Sequence, residues 1–164
     1  MHIYLIGITH DFQMKPHEKF EEYIFDACIK YGIKSIGEEM CKDALDEFSV
    51  TQSTVKIAAE KNGIPHTYCG PGRKEREARG ILGESLLEAL RIHNEWTDEE
   101  FNNEVLKDRK KRELIWVERI KPVYEDPMLF VCGIGHLDTF SQLLKTNGYI
   151  CVILVKQWDS RPMN

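Results

Sequence analysis

The chain has 164 residues, 42% of them hydrophobic and 30% charged, the balance of a soluble globular protein long enough to bury a core. A formal charge of −5 argues against nucleic acid or an anionic membrane surface as partner. Five scattered cysteines without a CxxC pair argue against both a disulfide framework and a cysteine zinc site.

Strand-like and helix-like runs alternate along the chain. "IYLIGI" reads as a strand that ends at Thr9-His10-Asp11. "PHEKFEEYIFDACIKYG" reads as a helix with Pro16 in its first turn, Phe20, Ile24 and Cys28 on one face, and Gly32 as its stop. "IKSIGEE" is a short strand leading into the helical "MCKDALDEF". "TQSTVKIAAEKNG" is a helix with Ser or Thr for its cap and Gly63 for its end, and "IPHTYC" is a third strand broken by "GPG". Two longer helices are expected from Lys74 to Ile92 and from Asp98 to Ile120, the second opened by a Thr97/Glu100 capping box. "MLFVCGIG" is an apolar strand, "HLDTFSQLLKTNG" a helix and "YICVILVKQW" a last strand. The continuous β-branched runs predict a sheet covered on both faces: an α/β three-layer sandwich, at least partly parallel. A single domain over residues 1–164 is expected, with a helical insert at about 73–121 capping one end of the sheet. The N-terminus lacks the pattern of a signal peptide, and "YICVILV" is far shorter than the about 20 residues of a membrane span, so a reduced, cytoplasmic setting is expected. The basic run "KDRKKRE", Lys107 to Glu113, reads as a solvated helix face.

In open α/β sheets ligands bind beyond the carboxyl ends of the strands. The first strand delivers His10 and Asp11 there, the second Glu38 and Glu39, the third a Gly-Pro-Gly turn followed by Arg73 and Arg76, and the fourth His136 and Asp138. Two of these ends share one pattern: "GITH" and "GIGH" both place a histidine three residues after a glycine that permits close approach. Two imidazoles and a carboxylate can hold a mononuclear metal or work as a base with its orienting acid. Adjacent strand residues face opposite sides, so one of Glu38 and Glu39 is expected in the site. On the long helix near residues 101–116, Arg112 falls in the middle of an apolar stripe of Phe101, Val105, Ile115 and Trp116. A guanidinium there needs a carboxylate or an anionic ligand, or must snorkel to the edge. His2, His17, His66 and His93 read as structural or exposed.

The paired Gly-x-x-His motifs at 7–10 and 133–136, the acids of "IGEEM" and a helical arginine between them resemble the TIKI/TraB superfamily, which includes erythromycin-esterase and ChaN-like haem-binding branches. The resemblance implies a polar site built from His10, Glu38 or Glu39, an arginine such as Arg76 or Arg112, and His136. It implies a hydrolase acting on a small-molecule or peptide substrate, peptidase- or esterase-like. A divalent metal (Zn, Mn or Co) would be held by His10, Glu39 and His136. A haem-binding or other non-catalytic small-molecule-binding protein is the alternative, as is a degenerate regulatory or interaction subunit. No membrane or nucleic-acid partner is expected, and a homo-oligomer is compatible with the sequence.

Overall fold

The computed structural model describes residues 1–9, 12 and 17–158. His10, Asp11 and Pro16 therefore lie outside the described residues. The elements in chain order are β1 (His2–Ile8), α1 (Glu18–Tyr31), β2 (Ser35–Glu38), α2 (Lys42–Glu47), α3 (Thr54–Lys61) and β3 (His66–Tyr68). They continue with α4 (Arg73–Ala78), α5 (Glu84–Asn94), α6 (Asp98–Ile120), β4 (Met128–Gly133), α7 (Leu137–Thr146) and β5 (Ile150–Val155). Single 3₁₀ turns at Lys121–Val123 and Ile134–His136 flank β4.

The five strands form one all-parallel sheet in the order β3-β2-β4-β1-β5, flanked by helices on both faces. Residue alternation decides which side each strand residue covers. Ile6, Ile8, Ile36, Leu129 and Val131 pack under α1 and α3, against Phe20, Ile24, Val55 and Ala58. Ile3, Leu5, Met128, Phe130 and Cys132 pack under α6 and α7, against Trp116, Ile120, Leu137 and Phe140. Burying one such large apolar side chain contributes about 1.5–3 kcal/mol, and each half of this core joins strand residues to the apolar faces of helices.

Helix signals act where the sequence carries them. His17 caps α1, its Nδ1 accepting from the Phe20 N–H at 3.3 Å. Ser53 caps α3, and the Thr97/Glu100 capping box opens α6 at the expected residue. The expected helix from Lys74 to Ile92 is instead two helices. Gly80 and Gly83 take positive φ (60° and 80°) between them, a conformation that interrupts a right-handed helix. The link is then held from α6, where the buried Asp108 carboxylate accepts from the N–H groups of Leu82 and Gly83 at 2.7 and 3.2 Å. Among the described residues, no helix is long and apolar enough to cross a membrane.

The connections after β1 and β2 run over the α1/α3 face, and those after β3 and β4 over the α6/α7 face. β4 lies between β2 and β1, so its chain leaves the sheet on the side opposite to both neighbours. Such a switch point leaves a crevice beyond the carboxyl ends of the strands. The register pairs Gly7 with Cys132 and Ile8 with Gly133, which brings the two Gly-x-x-His segments onto adjacent strands.

Candidate active site

The crevice at this switch point is a cleft of about 670 Å³. Ile8 and Thr9 from the end of β1, Gly133 to His136 after β4, the start of α5, Arg76 from α4, and Arg109 and Arg112 from α6 line it. A second cleft of about 470 Å³ adjoins it, lined by Glu39, Gly70 and Trp116 among others, and the two share Arg76, Ser85 and Arg112.

His136 stands at the junction of sheet, turn and helix, and its side chain is 5% exposed. Nδ1 lies 2.8 Å from Oε1 of Glu113, which also accepts from the Thr139 hydroxyl at 2.5 Å. The Trp116 ring meets the imidazole edge to face at 4.7 Å. Nε2 lies 3.9 Å from Oε1 of Glu39. The Glu39 carboxylate is itself fixed, because its Oε2 accepts from the Gly133 N–H at 2.5 Å. An imidazole thus sits between two carboxylates, one hydrogen-bonded to Nδ1 and one standing off Nε2. A carboxylate on Nδ1 holds the ring proton there and leaves the Nε2 lone pair for chemistry.

Alternation resolves the two adjacent glutamates. Gly37, two residues before Glu39, faces Met128 and Phe130 on the α6 side, so Glu39 follows it to the His136 side. Glu38 points to the opposite face and is corrected out of the site. It is fully buried there, accepting from the Ser53 hydroxyl and lying 2.7 Å from Nε2 of His66. His66, read from sequence as structural or exposed, thus belongs to a buried polar cluster.

Arg112 lines both clefts, 18% exposed, with a long ion pair of 3.5 Å to Asp108. Arg76 is half-buried at the same junction. Arg73 lies elsewhere, on Glu47 and the Asp43 turn, and Arg119 is held by Glu75 and the carbonyls of Cys69 and Gly70. Asp138 is exposed in the first turn of α7. His10, the proposed partner of His136, lies outside the described residues. Of the expected metal set, His136 and Glu39 come together. Among the described residues, no three His, Cys, Asp or Glu side chains gather as a metal site, so the donor set they offer stops at two.

The reading of "KDRKKRE" as a solvated face is overturned in part. Lys107, Lys110 and Lys111 are exposed, but Asp108 and Glu113 are buried and Arg109 and Arg112 line the cleft. The missed signal lies in the spacing. Positions 108, 109, 112 and 113 continue the stripe of Val105, Ile115 and Trp116 at intervals of three and four. Arg109 donates to the Gly135 carbonyl at 3.0 Å and to Glu84 at 2.5 Å. That contact holds Glu84 below the ordinary glutamate pKa of 4.5. A Cβ on Gly135 would stand 2.9 Å from the Arg109 guanidinium, the far end of a flexible side chain. At Gly7 the crowding is protein too: a Cβ would meet the Lys156 carbonyl oxygen at 2.0 Å and Leu137 at 2.2 Å. The thiol of Cys69 is fully buried and pushed up to about 12 by that burial, so it is no nucleophile. Comparison with known proteins finds no matching family model, no matching curated protein and no matching solved structure.

Proposed function

We propose that the chain is a hydrolase of the TIKI/TraB type, cleaving an ester or amide bond in the switch-point cleft. The observation that supports it is the His136 imidazole on the cleft wall, anchored through Nδ1 by Glu113 with Nε2 facing Glu39. Nε2 takes the proton of a water that attacks the carbonyl carbon, and Glu113 stabilises the imidazolium that forms. Glu39 holds that water from its far side. Arg112 stabilises the oxyanion of the tetrahedral intermediate, and the imidazolium returns its proton to the leaving group. If a divalent cation takes part, His136 and Glu39 would hold it and it would supply a water of lowered pKa.

The test is a panel of p-nitrophenyl esters and short peptides, assayed with and without added Zn, Mn or Co, on the wild type and on His136→Gln. Loss of a general base lowers kcat/KM by about 10²–10⁴, with KM little changed. Equal rates in the wild type and in His136→Gln on every hydrolysed substrate would sink the reading.

A further inference from the structure

Among the described residues, three buried side-chain polar atoms have no hydrogen-bond partner: Nε of Arg109, Nε of Arg112 and Nε1 of Trp116. All three are donors, and all three lie on α6 at spacings of three and four, hence on one face of it. Arg109 lines the first cleft, Trp116 the second, and Arg112 both. Native proteins rarely leave buried donors without acceptors, and a scatter of unrelated exceptions would include carbonyls and hydroxyls from several elements. These donors cluster on the helix face that bounds the two adjoining clefts.

Arg76 adds an independent observation. Among the described arginines, Arg73, Arg79, Arg91, Arg109, Arg112 and Arg119 each pair with a carboxylate. Arg76 makes no ion pair or hydrogen bond through its guanidinium among the described residues, although it is half-buried at the junction of the two clefts. The lining of the first cleft holds three arginines and one glutamate, Glu84, which belongs to Arg109. Arg112 pairs with Asp108, so Arg76 is the described arginine of this lining without a carboxylate partner.

We propose that the cleft binds a small molecule carrying an oxyanion group, a carboxylate or a phosphate ester, held between the guanidinium groups of Arg76 and Arg112 beside the Ser85 hydroxyl. Guanidinium is the side chain suited to this, since its planar donors meet carboxylate or phosphate oxygens in pairs. A volume of about 670 Å³ suits a small organic ligand. Naming that ligand the substrate rests on the hydrolase reading; the binding itself does not.

The experiment measures binding to the full chain by calorimetry and by thermal shift at fixed ionic strength. The probes are phenyl phosphate and phenylacetate, with chloride as the control. Arg76→Gln is the informative variant, because Arg76 holds no other group and its loss leaves the unliganded Tm unchanged. Arg73→Gln, on Glu47 away from the cleft, is the control. At least one probe binds above chloride, and which one binds tells phosphate from carboxylate. Arg76→Gln weakens that binding by about tenfold or more, the loss of charge-assisted hydrogen bonds, and Arg73→Gln leaves it as in the wild type. Failure of both probes to exceed chloride overturns the proposal, as does wild-type affinity in Arg76→Gln. The two readings separate cleanly. Turnover that needs His136, in a protein where neither probe exceeds chloride, would sink this proposal and keep the hydrolase. Binding that needs Arg76, in a protein that turns nothing over, would do the reverse.

Discussion

Glu113→Ala tests the anchoring of the imidazole directly. The carboxylate oxygen that accepts from Nδ1 of His136 at 2.8 Å also accepts from the Thr139 hydroxyl at 2.5 Å. Removing it does not orphan both donors, because the hydroxyl also lies 3.2 Å from the His136 carbonyl oxygen and can turn to it. The cost is therefore one buried Nδ1–H without an acceptor, about 1–3 kcal/mol, and one lost methylene, about 1 kcal/mol. Together these give about 2–4 kcal/mol, a large share of the 5–15 kcal/mol typical of a domain. Glu113→Gln keeps the volume and an acceptor oxygen, and loses only the excess strength of a charged hydrogen bond, about 1 kcal/mol. Urea unfolding at pH 7, followed by tryptophan fluorescence, measures both; Trp116 lies 4.7 Å from the ring and reports on the same spot. A Glu113→Ala protein within about 0.5 kcal/mol of wild type would refute the claim that this carboxylate holds the imidazole.

Gly7→Ala should force the β5 tail and Leu137 away from β1, since its Cβ would stand 2.0 Å from the Lys156 oxygen. A cost of about 3 kcal/mol lowers Tm by about 6–12 °C, and an unchanged melting curve would contradict the packing described. With Ellman's reagent at pH 8, native protein should expose only the half-buried Cys41 and Cys151 to labelling. Cys28, Cys69 and Cys132 are buried, with Cys28 and Cys69 pushed up to about 12, so prompt reaction of more than two thiols would be the contrary result. For Glu84, held below its ordinary pKa of 4.5 by the Arg109 hydrogen bond, the stabilisation is present above pH 4.5 and is lost as pH falls through the lowered value. Glu84 is 59% exposed, so Glu84→Gln should remove at most about 1 kcal/mol at neutral pH and flatten that acid limb. A limb of unchanged steepness in the acid-unfolding curve would contradict the pairing.

The α/β sandwich was legible in the sequence because apolar periodicity and cap residues act within a few residues of themselves. The first and last strands read as continuous β-branched runs, and the Thr97 capping box marked the start of α6 to the residue. The chain alone also located residues of the cleft rim, since "GIGH" and "IGEEM" follow strand ends and crevices in such sheets open there. What it could not decide was how far residues distant in sequence would meet. Whether Glu38 or Glu39 faces His136 depends on which side of β2 the long helix α6 covers, and periodicity of two is the same for either choice. Glu113 and Asp108 were lost inside a charged run because a carboxylate in sequence looks solvated until its partner is known. Glu113 meets the His136 ring from another element, and Asp108 meets the backbone of the link between α4 and α5. The break between α4 and α5 had the same origin: two glycines allow the turn, but a buried carboxylate on α6 holds it. Local propensity therefore determined the elements. The polar interior, and with it the shape and charge of the cleft, was decided by tertiary contacts, because a buried charge is tolerable only where the fold brings it a partner.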